Sequence, residues 1–368
     1  MIPVAEPLIT QEDIACVNQA LASGWISSYG RFLEQFEKRW ADICGMPFGI
    51  AVSNGTVALD VAVGLLRLQP GDEIIMPAFT IISPALAVVR AGGVPVLVDS
   101  DPVNWQMDVA QIEKKITPKT KAILVVHIYG HPADMDPVAD LAARYGLTII
   151  EDAAEVHGAE YKGVKCGGIG DISTFSFYAN KLISTGEGGM VLVRDAAHAE
   201  HARSLRNLCF QKDRRFYHEA LGYNFRMTNL QAALGCSQLE RLEQIVMQKR
   251  AIAHGYNERL GDLTRIELPP EASWAKNVYW VYGLILGEEV PFDAAELSEH
   301  LRSRGVDTRP FFLGMHEQPV FRAMGLFAEE RYPIAERLAR RGLYIPSGLQ
   351  LSEQQMDTVA DAIREVLS

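Results

Sequence analysis

Three short segments carry side chains that could do chemistry together. Val52-Ser53-Asn54-Gly55-Thr56 is a glycine-containing turn ahead of a helical pattern over Val57–Leu68. The first N–H groups of such a helix, with its dipole, favour a phosphate; the plainer reading is a turn plus an N-cap. Leu147–Ile150 reads as a buried strand running into Glu151-Asp152-Ala153-Ala154-Glu155. Asp152 then falls at the carboxyl end of a strand, where α/β sheets bind ligands, although an acid there also serves as a helix cap. Ser173-Thr174-Phe175-Ser176-Phe177-Tyr178-Ala179-Asn180-Lys181 precedes Gly186-Glu187-Gly188-Gly189. A lysine between a β-prone aromatic run and a glycine turn has buried surroundings, loses its proton readily and can form a Schiff base. Taken singly, a lysine is more often a surface residue.

Taken together, a phosphate cradle, an acid and an amine in this order are what pyridoxal 5'-phosphate requires. Its phosphate needs N–H donors, its ring nitrogen a carboxylate and its aldehyde an amine. On these segments the chain resembles the fold-type I aminotransferases, specifically the DegT/DnrJ/StrS sugar aminotransferases. Trp25-Ile26-Ser27-Ser28 and Gly222-Tyr223-Asn224-Phe225-Arg226-Met227-Thr228-Asn229 extend the likeness to nearly the whole length. The resemblance implies that Lys181 is the Schiff-base lysine, Asp152 the partner of the ring nitrogen and Glu155 a support for the ring. It implies that Gly55, Thr56 and Ser176 hold the phosphate, and that Asn224 reaches the phosphate of a neighbouring subunit. That makes the expected unit a homodimer with shared active sites. Related 3-dehydratases carry histidine in place of the lysine, so Lys181 implies amino transfer. Where the family usually stacks an aromatic on the cofactor, this chain has Ile81, so either the flat apolar side of Ile81 meets the ring or Phe79, two residues earlier, is recruited. The lost stack predicts weaker retention of free cofactor by ~1 kcal/mol.

The expected partners are a nucleotide-sugar substrate and an amino-acid donor, glutamate first. The run Trp25–Phe32, with Ser27, Tyr29 and Arg31, looks most like members that aminate GDP-4-keto-6-deoxy-D-mannose at C4. Other nucleotide-linked keto sugars and aminocyclitol ketones fit similar frames; a regulatory relative that kept the fold and lost the chemistry is the other alternative, against which Asp152, Glu155, Lys181 and the glycine turn speak together. Arg226, Arg309 and His316 are further substrate candidates, the fork of Arg309 suiting a diphosphate; a partly solvated surface charge is the plainer reading of Arg309. Among the remaining histidines, His131 reads as solvated, His127 as a satisfied core residue, and His157 fits either role.

These residues need a scaffold. Asp72–Met76, Val94–Val98, Ala122–Val126 and Leu147–Ile150 read as buried strands, alternating with helices over Val57–Leu68, Ser83–Ala91 and Pro137–Tyr145. That alternation predicts an α/β fold with a mostly parallel sheet sandwiched by helices. Met227–Leu260 reads as a long helix with room for one break. Ile266-Glu267-Leu268-Pro269-Pro270 reads as a hinge into a smaller C-terminal α+β unit. In that unit Val278–Leu286 is a strand, and Asp293–Arg304, Arg331–Arg341 and Ser352–Leu367 are helices. The expected division is a large cofactor-binding domain over 1–250 and a small domain over 251–368.

Composition narrows the class. The chain has 368 residues with 35 Lys and Arg against 46 Asp and Glu, a net charge of −11. Such a balance argues against a nucleic-acid partner. Five scattered cysteines without C-x-x-C spacing predict no metal site and suit a reducing compartment. Met1–Pro7 lacks a signal-peptide pattern. The most apolar stretch, Leu86–Val98, is interrupted by Arg90, Gly92, Gly93 and Pro95, so no membrane span is expected. The expected location is the cytoplasm.

Overall fold

Apolar runs of five to seven residues, alternating with amphipathic helices, build a seven-stranded sheet. The structure, a computed structural model, describes residues 1–211, 213–214 and 216–368. In chain order the strands are β1 Phe48–Val52, β2 Glu73–Pro77, β3 Val94–Val98, β4 Thr120–Val126, β5 Thr148–Asp152, β6 Ile172–Ser176 and β7 Gly189–Val193. They lie in the order β1-β7-β6-β5-β4-β2-β3. Only β7 runs against the rest, pairing antiparallel with β1 and β6, so six strands share one direction. Helices bury both faces, which is why β4 reads Ala-Ile-Leu-Val-Val without alternation and each of these side chains is buried. The carboxyl ends of β1, β2, β4, β5 and β6 therefore open on one edge of the sheet, the edge where ligands collect.

Below that edge sits a box of rings. Trp40 packs at 5.0 Å from Phe175, 4.9 Å from Phe177 and 5.0 Å from His157, all edge-on. The long helix breaks once, into Asn229–Leu239 and Leu242–Leu260. Its second part passes through two cores: Leu242, Ile245 and Val246 belong to the first, Ile252, Ala253, Tyr256 and Leu260 to another. The second core is built on a four-stranded antiparallel sheet of Ile266–Glu267, Tyr282–Leu286, Gly342–Ile345 and Arg309–Pro310. Residues farther along the chain, among them Phe311, Phe321 and Leu338, return to the first core. Among the described residues no helix is long and apolar enough to cross a membrane. All five cysteines are free.

Three expectations need correction. Ile266-Glu267 is not a hinge but an edge strand, pairing with Leu286 and Ile285, because Ile266 buries its side chain in the second core. The strand expected over Val278–Leu286 begins only at Tyr282. Before it, Tyr279 takes a positive φ of 47° and the Val278 N–H is spent on Gly130 O at 3.0 Å, across to the first sheet. His131 is buried rather than solvated. Its Nε2 accepts the Ala272 N–H at 3.0 Å, and its ring stands edge-on to Trp274 at 5.4 Å.

Burial pushes His131 down to about 4, against the opposing effects of its bond to Pro132 O and the charge of Glu271. The unfolded chain then binds more protons than the native one below the ordinary histidine value, so stability falls as pH drops from about 6.5 towards 4. Urea denaturation should show His131→Gln losing less stability than wild type across that window, by about 1 kcal/mol per pH unit at most. Identical slopes would place the ring in water.

Candidate active site

Strand ends and the turns after them bring the chemically capable groups around one cavity of about 650 Å³. Asn54, Gly55 and Thr56 follow β1, Ile81 follows β2, Asp152 ends β5 with Glu155 in the next turn, and Ser176 ends β6 ahead of Lys181. Each of these lines the cavity. The local reasons are simple. Asn54 caps the Gly55–Gly64 helix by accepting the Val57 N–H at 3.0 Å, so the N–H groups of Gly55 and Thr56 lie in the first turn without intrahelical acceptors. Glycine is needed at 55 because a Cβ there would lie 2.6 Å from Ser176 Cβ. Thr56 and Ser83 share a hydroxyl–hydroxyl bond of 3.0 Å.

The amine is the electrostatic centre. Lys181 Nζ lies 3.8 Å from Glu155 Oε1 and 3.5 Å from the centre of the Trp280 ring. Only a tenth of its side chain is exposed. Burial lowers its affinity for a proton, while Glu155 and Asp152 pull the other way. Burial likewise raises Asp152, against the Ala154 N–H bond and the Lys181 charge, and raises Glu155, against Lys181 and the Tyr129 N–H. That N–H donates to Glu155 Oε2 at 2.7 Å.

Beside Asp152, Glu151 is fully buried and points the other way. It accepts the N–H groups of Gly167, Ile169 and Gly170 and meets His127 Nε2 at 3.1 Å. Burial alone would raise it, but His127 and these N–H groups hold it below the usual carboxylate range. The Ala133 N–H donates to His127 Nδ1, so the ring proton sits on Nε2, facing Glu151. His157 takes the Ile183 N–H on Nδ1 at 3.2 Å, and its Nε2 is buried without a partner. Burial and the Lys181 charge push it down to about 3.

The donor set fits a cationic heterocycle bearing a phosphate. Two buried carboxylates outnumber one buried amine, so a further positive charge is accommodated, and a helix N-terminus with two hydroxyls, those of Thr56 and Ser176, faces the same space. Ile81 offers its aliphatic side to the cavity. Phe79 does not: it is fully buried, with its ring 5.9 Å from Tyr129 and 6.0 Å from Phe311.

Other expected site residues lie elsewhere. Ser27, Tyr29 and Arg31 are exposed, and Tyr29 and Arg31 line a separate groove. Asn229 braces that loop from 200 residues away: its Oδ1 accepts the Phe32 and Leu33 N–H groups and its Nδ2 donates to Trp25 O. Asn224 is exposed, in a segment whose Phe225 O accepts the Ser53 N–H; Arg226 donates to Asn207 Oδ1 at 2.6 Å. Arg309 is half-exposed and is held by Asp307 at 2.7 Å. His316 does not reach the cavity. It is buried against Glu336 at 3.1 Å because the Pro333–Arg341 helix covers it. Phe312, in the Thr308–His316 stretch that also offered Arg309 and His316, lines the cavity, whereas sequence reasoning missed Trp280 and Tyr344, which line it too. Their signal was only an apolar, strand-like run, in which no spacing marks a site.

Residues 7–364 match the DegT/DnrJ/EryC1/StrS aminotransferase family. The GDP-perosamine synthase of Caulobacter vibrioides is 40% identical over 367 residues, covering 100% of this chain and 98% of that protein. The GDP-perosamine synthase of Escherichia coli O157:H7 is 39% identical, covering 100% and 99%. The crystal structure of an aminotransferase from Streptoalloteichus hindustanus matches with a TM-score of 0.93 and 30% identity, covering 100% and 99%.

The close approach of Gly55 to Ser176 gives a direct check on the phosphate cradle. Gly55→Ala should weaken binding of pyridoxal 5'-phosphate at least about tenfold, or about 1.4 kcal/mol, in an absorbance titration. The melting curve should still show one cooperative transition, because the clash lies where the first turn of a helix meets the last residue of β6, beside the open cavity. Unaltered affinity would remove this helix end from the phosphate site.

Proposed function

The chain belongs to the DegT/DnrJ/EryC1/StrS aminotransferase family, and from that premise we propose that it aminates C4 of a nucleotide-linked 4-keto-6-deoxy sugar. GDP-4-keto-6-deoxy-D-mannose is the first candidate acceptor and glutamate the first candidate donor. The observation that carries the chemistry is Lys181 Nζ, buried between Glu155 and Trp280 in the lining of the cavity. The acceptor is supported by two relatives named GDP-perosamine synthase at 40% and 39% identity.

Pyridoxal 5'-phosphate, when bound, supplies the electron sink and the carrier of the amino group. Lys181 gives the amine that anchors it and, once free and neutral, takes and returns the proton that moves during transfer. Asp152, through its negative charge, keeps a proton on the ring nitrogen. Glu155 steadies Lys181 and the ring. Gly55, Thr56 and Ser176 take the phosphate, and Ile81 shields one face of the site from water.

The active unit in this reading is a cytoplasmic homodimer in which Asn224 completes the neighbour's phosphate site and the Trp25–Phe32 loop faces the partner's substrate. Exposed apolar side chains on these segments support it: Trp25, Ile26, Tyr29, Leu221 and Tyr223. A closed two-fold arrangement would cover them on both subunits at once. The expected division at 250/251 remains part of this proposal.

Purified enzyme with glutamate should convert GDP-4-keto-6-deoxy-D-mannose to its 4-amino product, read by mass spectrometry, at least about tenfold faster than dTDP- or UDP-linked keto sugars. Lys181→Ala should abolish this at unchanged fold. Preference for another nucleotide would redirect the substrate, and turnover by Lys181→Ala without added amines would overturn the mechanism.

For the dimer, Lys181→Ala and Asn224→Asp proteins, each inactive, should regain activity when mixed under subunit exchange. A heterodimer then holds one intact site, about half the output of a normal dimer on simple counting. No recovery despite demonstrated exchange would refute shared sites.

A further inference from the structure

Lys181 Nζ has a carboxylate on one side and an indole ring on the other, and one short turn fixes both. In the Ile128–Gly130 turn, Tyr129 (φ 58°) donates its N–H to Glu155. Its neighbour Gly130 (φ 105°) accepts the Val278 N–H and lets the following chain pass so closely that a Cβ at 130 would lie 2.5 Å from Trp280 N. The ring itself is tied down, since Trp280 Nε1 donates to Asn180 O at 2.8 Å, on the residue next to Lys181. A ring face at 3.5 Å from a primary amine is within the range where its quadrupole attracts the ammonium, and more so out of water.

We propose that Trp280 is a positioning residue whose ring face, opposite Glu155, holds the Lys181 side chain whenever its amine is free of cofactor, binding the ammonium form more tightly than the neutral one. The anionic groups facing the amine are Asp152 and Glu155 from the sheet edge. His157 feels the Lys181 charge, and Tyr129 and Tyr344 feel that of Glu155, so these are the other titratable groups in the balance. Without the ring, the two carboxylates remain but the ammonium loses its face-on partner, and the amine deprotonates at lower pH.

This inference rests on Lys181 being the reacting amine, and its test needs no substrate. Full-length protein freed of cofactor is labelled with acetic anhydride over a pH series, and acetylation of Lys181 is read by mass spectrometry. Relative to wild type, the midpoint should fall by about half a unit to one unit in Trp280→Leu and by less in Trp280→Phe. The emission of Trp280, taken as wild type minus Trp280→Phe, should change with pH along the Lys181 midpoint. A midpoint that is unchanged or higher in Trp280→Leu, or an emission difference flat across it, overturns the proposal. If Trp280→Leu does not fold, by its melting curve, Trp280→Phe decides in the same sense. Because labelling reports the amine alone, its failure leaves the keto-sugar assay standing, and failure of that assay leaves the labelling result standing.

Discussion

Taking a primary ammonium out of water costs several kcal/mol unless anions lie close by and its protons find partners, and Lys181 sits where that cost is largest. Asp152 and Glu155 meet the charge from one side and Trp280 from the other. None of these groups is near Lys181 in sequence. Each has to be delivered by a different part of the fold: the end of β5, the turn beyond it, and a segment about a hundred residues later. Much of the architecture follows from that delivery. The sheet runs six strands one way because only then do their carboxyl ends share an edge. The box of Trp40, Phe175, Phe177 and His157 fills the volume beneath that edge, so that the strand carrying Ser176 and the turn carrying Lys181 cannot sag.

Adjacent acids with opposite duties show how finely the edge is divided. Along β5, successive side chains point to opposite faces. Glu151 therefore enters a closed network of three backbone N–H groups and His127, a fully satisfied buried charge. Asp152, one residue on, faces the cavity with a single bond from the Ala154 N–H. The first arrangement fixes a loop; the second leaves a carboxylate with capacity for a ligand. A shift of register by one residue would exchange these duties, placing an under-bonded carboxylate in the core.

What was legible in the sequence follows from the range of the interactions. The β2–β5 segments, the helices between them and the turns at Gly55 and Asp152 are set by local period and by glycine, so they could be read along the chain. Their convergence on Lys181 was legible because three segments, each weak alone, matched one ligand's needs. The losses are all tertiary. His131 reads as polar and near a strand end, yet Trp274 and Ala272 close over it. His316 reads as a site residue, yet a helix beginning 17 residues later buries it. Ile266-Glu267 looks like a hinge because two prolines follow, but an edge strand needs only two pairs to form. Val278–Leu286 has strand composition throughout; its first half leaves the ladder because Gly130 accepts its N–H.

The two walls of the cavity divide the work differently from a site that grips its ligand by stacking. The sheet edge offers charge and hydrogen bonds, with Ile81 as its apolar contribution in place of a ring. Aromatic side chains come instead from beyond the sheet, in Trp280, Phe312 and Tyr344. Tyr129 joins the two sides: its N–H holds Glu155, its hydroxyl accepts the Phe312 N–H at 3.2 Å, and its ring stacks on Phe312 at 5.3 Å. One residue held at positive φ thus touches both the aromatic wall and the carboxylate beside Lys181. The sheet edge thus carries the charges of the cavity, and the aromatic wall borders the space beside the amine. On the proposed role of Trp280, a substitution in the aromatic wall reaches the amine itself as well as the space beside it.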